Sequence, residues 1–207
     1  MRYVFVVCLF LSFSLHADEL SSMYSMLETR LASDSLLEEA IAIGEERASV
    51  CKFCHGDDGN SKRDYIPNLA DQNAKYLLKQ FELFASKQRD DKIMSELAMN
   101  LTSKDRVNIA LFYSSKKAKP GSVSGSELIF EGKKIFKSQC VACHGKNGHG
   151  KEELPRIASQ PAEYLKRTLD NYRTNPNKRP NSPMQAIIGK LSTTDQAAVI
   201  TYVSSMR

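Results

Sequence analysis

Two pentapeptides, Cys51-Lys52-Phe53-Cys54-His55 and Cys140-Val141-Ala142-Cys143-His144, constrain this chain more than any other feature. Each places two thiols about one helical turn apart, with a histidine directly behind the second. Covalent attachment of a c-type haem needs that layout. The thiols add across the two vinyl groups, and the histidine reaches the iron from the same side. A lone C-x-x-C would also suit half a zinc site or a redox pair. The two pairs of a four-cysteine zinc site usually stand about 15–20 residues apart, whereas these lie 89 apart. Two haems c are therefore expected, held by Cys51, Cys54, Cys140 and Cys143, with His55 and His144 as iron ligands.

The pentapeptides belong to a larger repeat. At an offset of 88–90 residues, Pro67-Asn68-Leu69-Ala70-Asp71-Gln72 matches Pro155-Arg156-Ile157-Ala158-Ser159-Gln160. Tyr76-Leu77 matches Tyr164-Leu165, Met94 matches Met184, Leu101 matches Leu191, and Tyr113 falls near Tyr202. Repeats of this length are whole domains rather than solenoid units. The Lys-, Gly- and Ser-rich stretch 116–126 reads as a linker. The expected layout is an N-terminal helical extension over 18–43, a first domain over 44–115, the linker, and a second domain over 127–207. Each module is small for an independent core, and a buried haem would supply missing apolar volume.

The periodicity within each copy is helical. Leu77, Phe81 and Phe84 recur at i, i+4, i+7, as do Leu165, Leu169 and Tyr172. Thr102-x-x-Asp105 and Ser192-x-x-Asp195 signal the start of each last helix. Ser35-x-x-Glu38 looks like a further capping box, and Met23, Met26, Leu27 and Leu31 form an amphipathic stripe in the extension. Sustained strand alternation is absent from the sequence, so the fold class is all-α.

Arg2, the apolar run 3–11 and the Leu15-His16-Ala17 site have the layout of a secretory signal peptide over 1–17, cleaved after Ala17. Cys8 lies inside it, preceded by Val7 rather than by a small residue, which argues against a lipoprotein signal. The other four cysteines are all consumed by the two haems, so none is left for a disulfide. Export to a bacterial periplasm with haem-maturation machinery follows. The charge is uneven, −2 over 18–119 and +6 over 120–207. That balance argues against nucleic acid and suits a carrier steered to redox partners. Lys166, Arg167, Arg173, Lys178 and Arg179 are candidates for a basic docking region, and peripheral membrane association is compatible with that charge.

The repeat also nominates the second axial ligands, Met94 and Met184, each seven residues before a leucine. A thioether is a soft donor that favours ferrous iron, so His/Met ligation raises the potential. Met99 has Gly189 as its counterpart and reads as a core residue. His149, opposite Asn60 in a Gly-rich loop, reads as a solvent-exposed loop residue. Arg89 and Arg179, five residues before each methionine, can bond a haem propionate or stand as solvated charges.

The motif series C-H-G-x-x-G, P-x-[LI]-A-x-Q, Y-L and M-x₆-L with a closing aromatic helix, duplicated once, resembles the dihaem cytochromes of the cytochrome c4 family over residues 44–207. The resemblance implies tandem class I cytochrome c domains. It also implies that the carbonyls of Pro67 and Pro155 accept from the second ring nitrogen of His55 and His144, fixing each imidazole. Two departures stand out: the 26-residue extension, and Gly44 seven residues before Cys51 where Gly132 lies eight before Cys140. The latter suggests different packing of the first helix.

With no acid–base pair or nucleophile beyond these ligands, the expected function is electron transfer rather than catalysis. The reading is a periplasmic carrier passing electrons along a respiratory chain to a terminal oxidase or reductase, with membrane respiratory complexes or a dehydrogenase as partners. The alternative is the dihaem subunit of a larger oxidoreductase such as a flavoprotein dehydrogenase. A dihaem peroxidase would need one iron with an exchangeable position, and two matched methionines argue against it.

Overall fold

The computed structural model describes residues 18–121 and 126–206. The expected signal peptide, with Arg2, Cys8 and Ala17, and the linker residues 122–125 lie outside the described residues. All regular structure among the described residues is helical apart from one isolated bridge between Lys151 and Leu154.

A first helix, α1, covers 18–31, followed by α2 (Asp34–Arg47), α3 (Lys52–His55), α4 (Ala74–Ala85), α5 (Lys92–Met99) and α6 (Ser103–Ser114). The second half repeats that order as α7 (Ser126–Gln139), α8 (Val141–His144), α9 (Ala162–Thr174), α10 (Met184–Gly189) and α11 (Thr193–Ser205). Helix α2 packs on α6 as α7 packs on α11, and α2 runs through the expected boundary at 43/44. Two separate clusters form the cores. One gathers Leu78, Phe81, Phe84, Leu111 and Phe112; the other gathers Phe136, Leu165, Leu169, Ile188 and Val203.

The local signals explain most of these elements. Leu77, Phe81 and Phe84 are buried on one side of α4. Both expected capping boxes close: Thr102 Oγ1 accepts from the Asp105 amide at 3.1 Å, and Ser192 Oγ accepts from the Asp195 amide at 3.1 Å. Each satisfies one of the amides that a helix start leaves without an internal partner.

Four local readings are corrected. Ser35 lies inside α2, whose cap position is Ser33, so Ser35-x-x-Glu38 is no capping box. In α1, Met23 and Leu27 are buried against the first core but Leu31 is 50% exposed at the helix end. Tyr113 corresponds to Val203 rather than Tyr202: the Tyr113 carbonyl accepts from Asp71 N and the Val203 carbonyl from Ser159 N, each at 3.1 Å. Finally, Gly44 and Gly132 occupy equivalent helix crossings, against Asn108 and Ala198. The one-residue difference is absorbed between the first helix of each module and its CxxCH turn.

The halves meet through polar groups. The Gln160 side chain accepts from Asn68 N at 2.9 Å and donates to Asn68 O at 2.8 Å. Gln72 does the same to Arg156, accepting from N at 2.8 Å and donating to O at 2.9 Å. Asn68 Nδ2 donates to Ser159 O at 2.8 Å, and Tyr164 N to Asp64 O at 2.9 Å. Helix α1 reaches across as well: Tyr24 donates its hydroxyl to Glu153 at 2.8 Å, and Lys75 pairs with Glu28 of α1 at 2.7 Å and Glu152 at 2.8 Å.

Candidate haem-binding sites

Each CxxCH folds as a single helical turn. The His55 amide donates to Cys51 O and the His144 amide to Cys140 O, both at 2.9 Å. That turn is what sets two thiols and an imidazole side by side. Gly56 ends α3 at φ 82°, and a Cβ there would stand 2.3 Å from the Asn60 carbonyl, so the sharp exit needs glycine. No disulfide joins these four cysteines. Burial pushes the Cys51 thiol up, and burial with the neighbouring Cys143 takes Cys140 to about 11.

Both histidines are buried and held in one orientation. His55 Nδ1 lies 2.9 Å from Pro67 O, and His144 Nδ1 lies 2.9 Å from Pro155 O. A carbonyl can only accept, so Nδ1 carries the proton in both rings. The unprotonated Nε2 is left as the donor to a metal. Burial pushes both imidazoles below their ordinary value, against the Pro carbonyls, and so favours the neutral, ligating form.

Met94 and Met184 take matching places in the two halves. Met94 and Cys51 border the first core; Met184 and Cys140 border the second. The carboxylate of Asp91 caps α5 and accepts from the Met94 amide at 2.9 Å, fixing that residue in the first turn. Met99, at the far end of α5, is 41% exposed; it is not the core residue expected. His149 is exposed, as expected, and its carbonyl accepts from Asn73 Nδ2 at 3.0 Å.

Arg89 and Arg179 come together from opposite halves. Arg179 reaches the hydroxyls of Tyr172 at 3.3 Å and Tyr164 at 3.4 Å, and Arg89 lies over the Phe84 ring and bonds Gln80 at 2.5 Å. Burial pushes the Tyr164 hydroxyl up, but Arg179 and Arg89 outweigh it and draw the group down to about 8. Neither guanidinium forms an ion pair with a carboxylate among the described residues. Two part-buried cations facing each other among phenols fit an anionic group, and the haem propionates have that chemistry.

The same residues test the haem against its rivals. Vinyl-reactive thiols, an imidazole with Nε2 free, a thioether on the same core and a cationic interface each match one part of the group. Among the described residues, no group of three or more His, Cys, Asp or Glu converges as a metal site, so the zinc reading has no support. When bound, the haem supplies one-electron chemistry. The chain's own residues orient the imidazoles; Met94 and Met184 would offer soft sulfur donors to it, and Arg89 and Arg179 would balance its charge.

Of the five basic residues expected to form a docking region, four have partners within the chain and Lys178 stands exposed. Lys166 pairs with Asp170 at 2.9 Å and Arg167 with Glu163 at 2.7 Å. Arg173 donates to the carbonyls of Ile188 and Leu191, and Arg179 faces the interface. Sequence reasoning flagged both arginines but not their meeting, and it missed the tyrosines around them. The repeated Gln of P-x-[LI]-A-x-Q was the signal for the crossed glutamine contacts.

Fold and site together define a class, a tandem c-type cytochrome with one haem-binding turn in each half. The cytochrome c family model matches residues 129–207. Cytochrome c4 of Pseudomonas aeruginosa is 35% identical over 176 residues, covering 80% of this chain and 88% of that protein. The crystal structure of reduced recombinant cytochrome c4 from Pseudomonas stutzeri superposes with a TM-score of 0.73 at 29% identity, covering 79% of this chain and 97% of that one. A thiosulfate dehydrogenase electron acceptor of Stutzerimonas stutzeri is 30% identical, covering 77% of this chain and 80% of the relative. The chain belongs to the cytochrome c4 family. It is an electron-transfer protein rather than an enzyme, with two tandem class I cytochrome c domains and two covalently bound haems c.

Proposed function

We propose that His55 and Met94 ligate the first iron and His144 and Met184 the second, with Cys51, Cys54, Cys140 and Cys143 as thioether anchors. The supporting observation is the matched pair of Nδ1–H···O=C bonds to Pro67 and Pro155, which leaves Nε2 of each buried histidine as the donor. The first domain begins at α2 rather than at 44, since α2 makes the same helix crossing as α7; α1 alone is then the extension. The linker over 116–126 joins the first domain to the second.

In this reading the protein works in the periplasm after cleavage behind Ala17, taking an electron at one domain and delivering it from the other to a terminal oxidase or reductase. None of the helices among the described residues is long and apolar enough to cross a membrane. The test is to mix the reduced protein with respiratory membranes of its source. Oxidation that stops when the terminal oxidase or reductase is inhibited is the expected result; reduced protein that membranes leave untouched counts against the reading.

A second reading, service to a dehydrogenase, is favoured by the relative named as a thiosulfate dehydrogenase electron acceptor. Here the immediate donor is a periplasmic oxidoreductase, and the protein travels with it. Stoichiometric co-purification of that enzyme distinguishes the two.

A further inference from the structure

The interdomain glutamines touch the peptides that hold the haem histidines. Pro67 O, which accepts from His55, and Asn68 N–H belong to one amide group. That N–H donates to Oε1 of Gln160, in the other half, at 2.9 Å. Pro155 O, which accepts from His144, shares its amide with Arg156 N–H, which donates to Oε1 of Gln72 at 2.8 Å. The chain has no cis peptide bonds among its described residues, so each amide is bonded at opposite ends, by a histidine of its own domain and a glutamine of the other.

Both glutamines are 4% exposed, so the contacts are shielded from water. Gln72 Oε1 also accepts from Asn73 N at 3.0 Å, and its Nε2 donates to Arg156 O. Gln160 Nε2 likewise donates to Asn68 O. Each side chain therefore grips the residue after the proline at two points and fixes the tilt of the peptide. Hydrogen bonding at an amide N–H polarises its carbonyl, and linked bonds reinforce one another. A better acceptor at Nδ1 makes the imidazole a stronger donor and stabilises ferric iron.

From this we infer that Gln72 and Gln160 are crossed positioning residues: each sets the histidine, and through it the potential, of the iron in the other domain. The inference rests on His55 and His144 being the axial ligands. Removing Gln72 weakens the Pro155 carbonyl as an acceptor and raises the potential of the second haem; removing Gln160 raises that of the first.

The experiment uses the full dihaem protein with ¹⁵N-labelled histidine, following the ring N–H signals of His55 and His144 and the two potentials. In the parent, both signals should shift strongly on oxidation; signals that do not would sink the ligand assignment itself. Gln72→Leu is expected to move the His144 signal and raise one potential, leaving His55 in place. Gln160→Leu should move His55 and raise the other potential. Gln72→Met, which keeps the side-chain length and loses the two bonds to Arg156 and the one to Asn73, repeats the first result if the leucine variant folds poorly. Tyr24→Phe removes a different interdomain bond and should leave both signals and both potentials unchanged. If each variant moves the histidine of its own domain, moves neither, or matches Tyr24→Phe, crossed positioning is overturned while the ligands stand.

Discussion

A Cβ on Gly44 would stand 2.1 Å from the carbonyl oxygen of Asn108 and 2.9 Å from Cβ of Phe112. The backbones of α2 and α6 thus approach without room for any side chain. Gly132 repeats the relationship, with Ala198 O at 2.1 Å and Tyr202 Cβ at 2.7 Å. Gly44→Ala and Gly132→Ala must each push two helices apart. Overpacking of this kind costs about 1–3 kcal/mol, and denaturant unfolding of the haem-loaded protein should show it. Ala48→Gly, which adds no atoms, provides the contrasting case without the clash.

Met94→His and Met184→His should each lower the potential of one haem, since the thioether is the donor that favours ferrous iron. Each should also remove half of the near-infrared sulfur-to-iron band. Met99→Leu should change neither property, because Met99 stands exposed at the end of α5. Loss of band intensity in Met99→Leu but not in Met94→Leu would reverse the assignment.

Denaturing electrophoresis should retain haem on the chain, and intact mass should exceed the apoprotein by two haem groups. Cys51→Ala with Cys54→Ala should reduce that excess to one. Colour extracted by acidified acetone from the parent would contradict covalent attachment.

Tyr24→Phe should weaken the hold of α1 on the second half by about 1 kcal/mol, the net worth of an ordinary hydrogen bond. The contact is pH-dependent. Burial pushes the Glu153 carboxyl up, but its bonds to Lys79 and Tyr24 prevail and keep it below its ordinary value near 4.5. A carboxyl depressed in the folded state adds stability above its unfolded value and loses it as pH falls through the folded one. The stability gap between the parent and Glu153→Gln should therefore be widest near neutral pH and close in acid. A gap that stays constant with pH would mean that the carboxylate charge contributes nothing.

Much of this was legible because the relevant signals are local. CxxCH dictates a turn, Thr102 and Ser192 cap the helices that follow them, and the period of Leu77, Phe81 and Phe84 names a buried face. What escaped depends on partners distant in the chain. Ser35 fits the spacing of a capping box, yet the helix starts at Asp34 with Ser33 in the cap position. Met99 has the composition of a core residue, but five positions from Met94 it points to a different side of α5. Arg89 and Arg179 could not be seen to face each other, since only the docking of the two halves brings them together.

The reciprocal grip of Gln72 on Arg156 and Gln160 on Asn68 is self-complementary, the form of contact found between identical subunits related by a twofold axis. Between separate chains it would obey mass action, and dilution would part the two redox centres. On one polypeptide each half meets the other at an effective concentration in the ~mM range, however scarce the protein. Electron exchange between the centres is then a first-order event. Its rate should be the same in a crowded compartment and in a dilute cuvette, and only transfer to an outside partner should depend on how much protein is present.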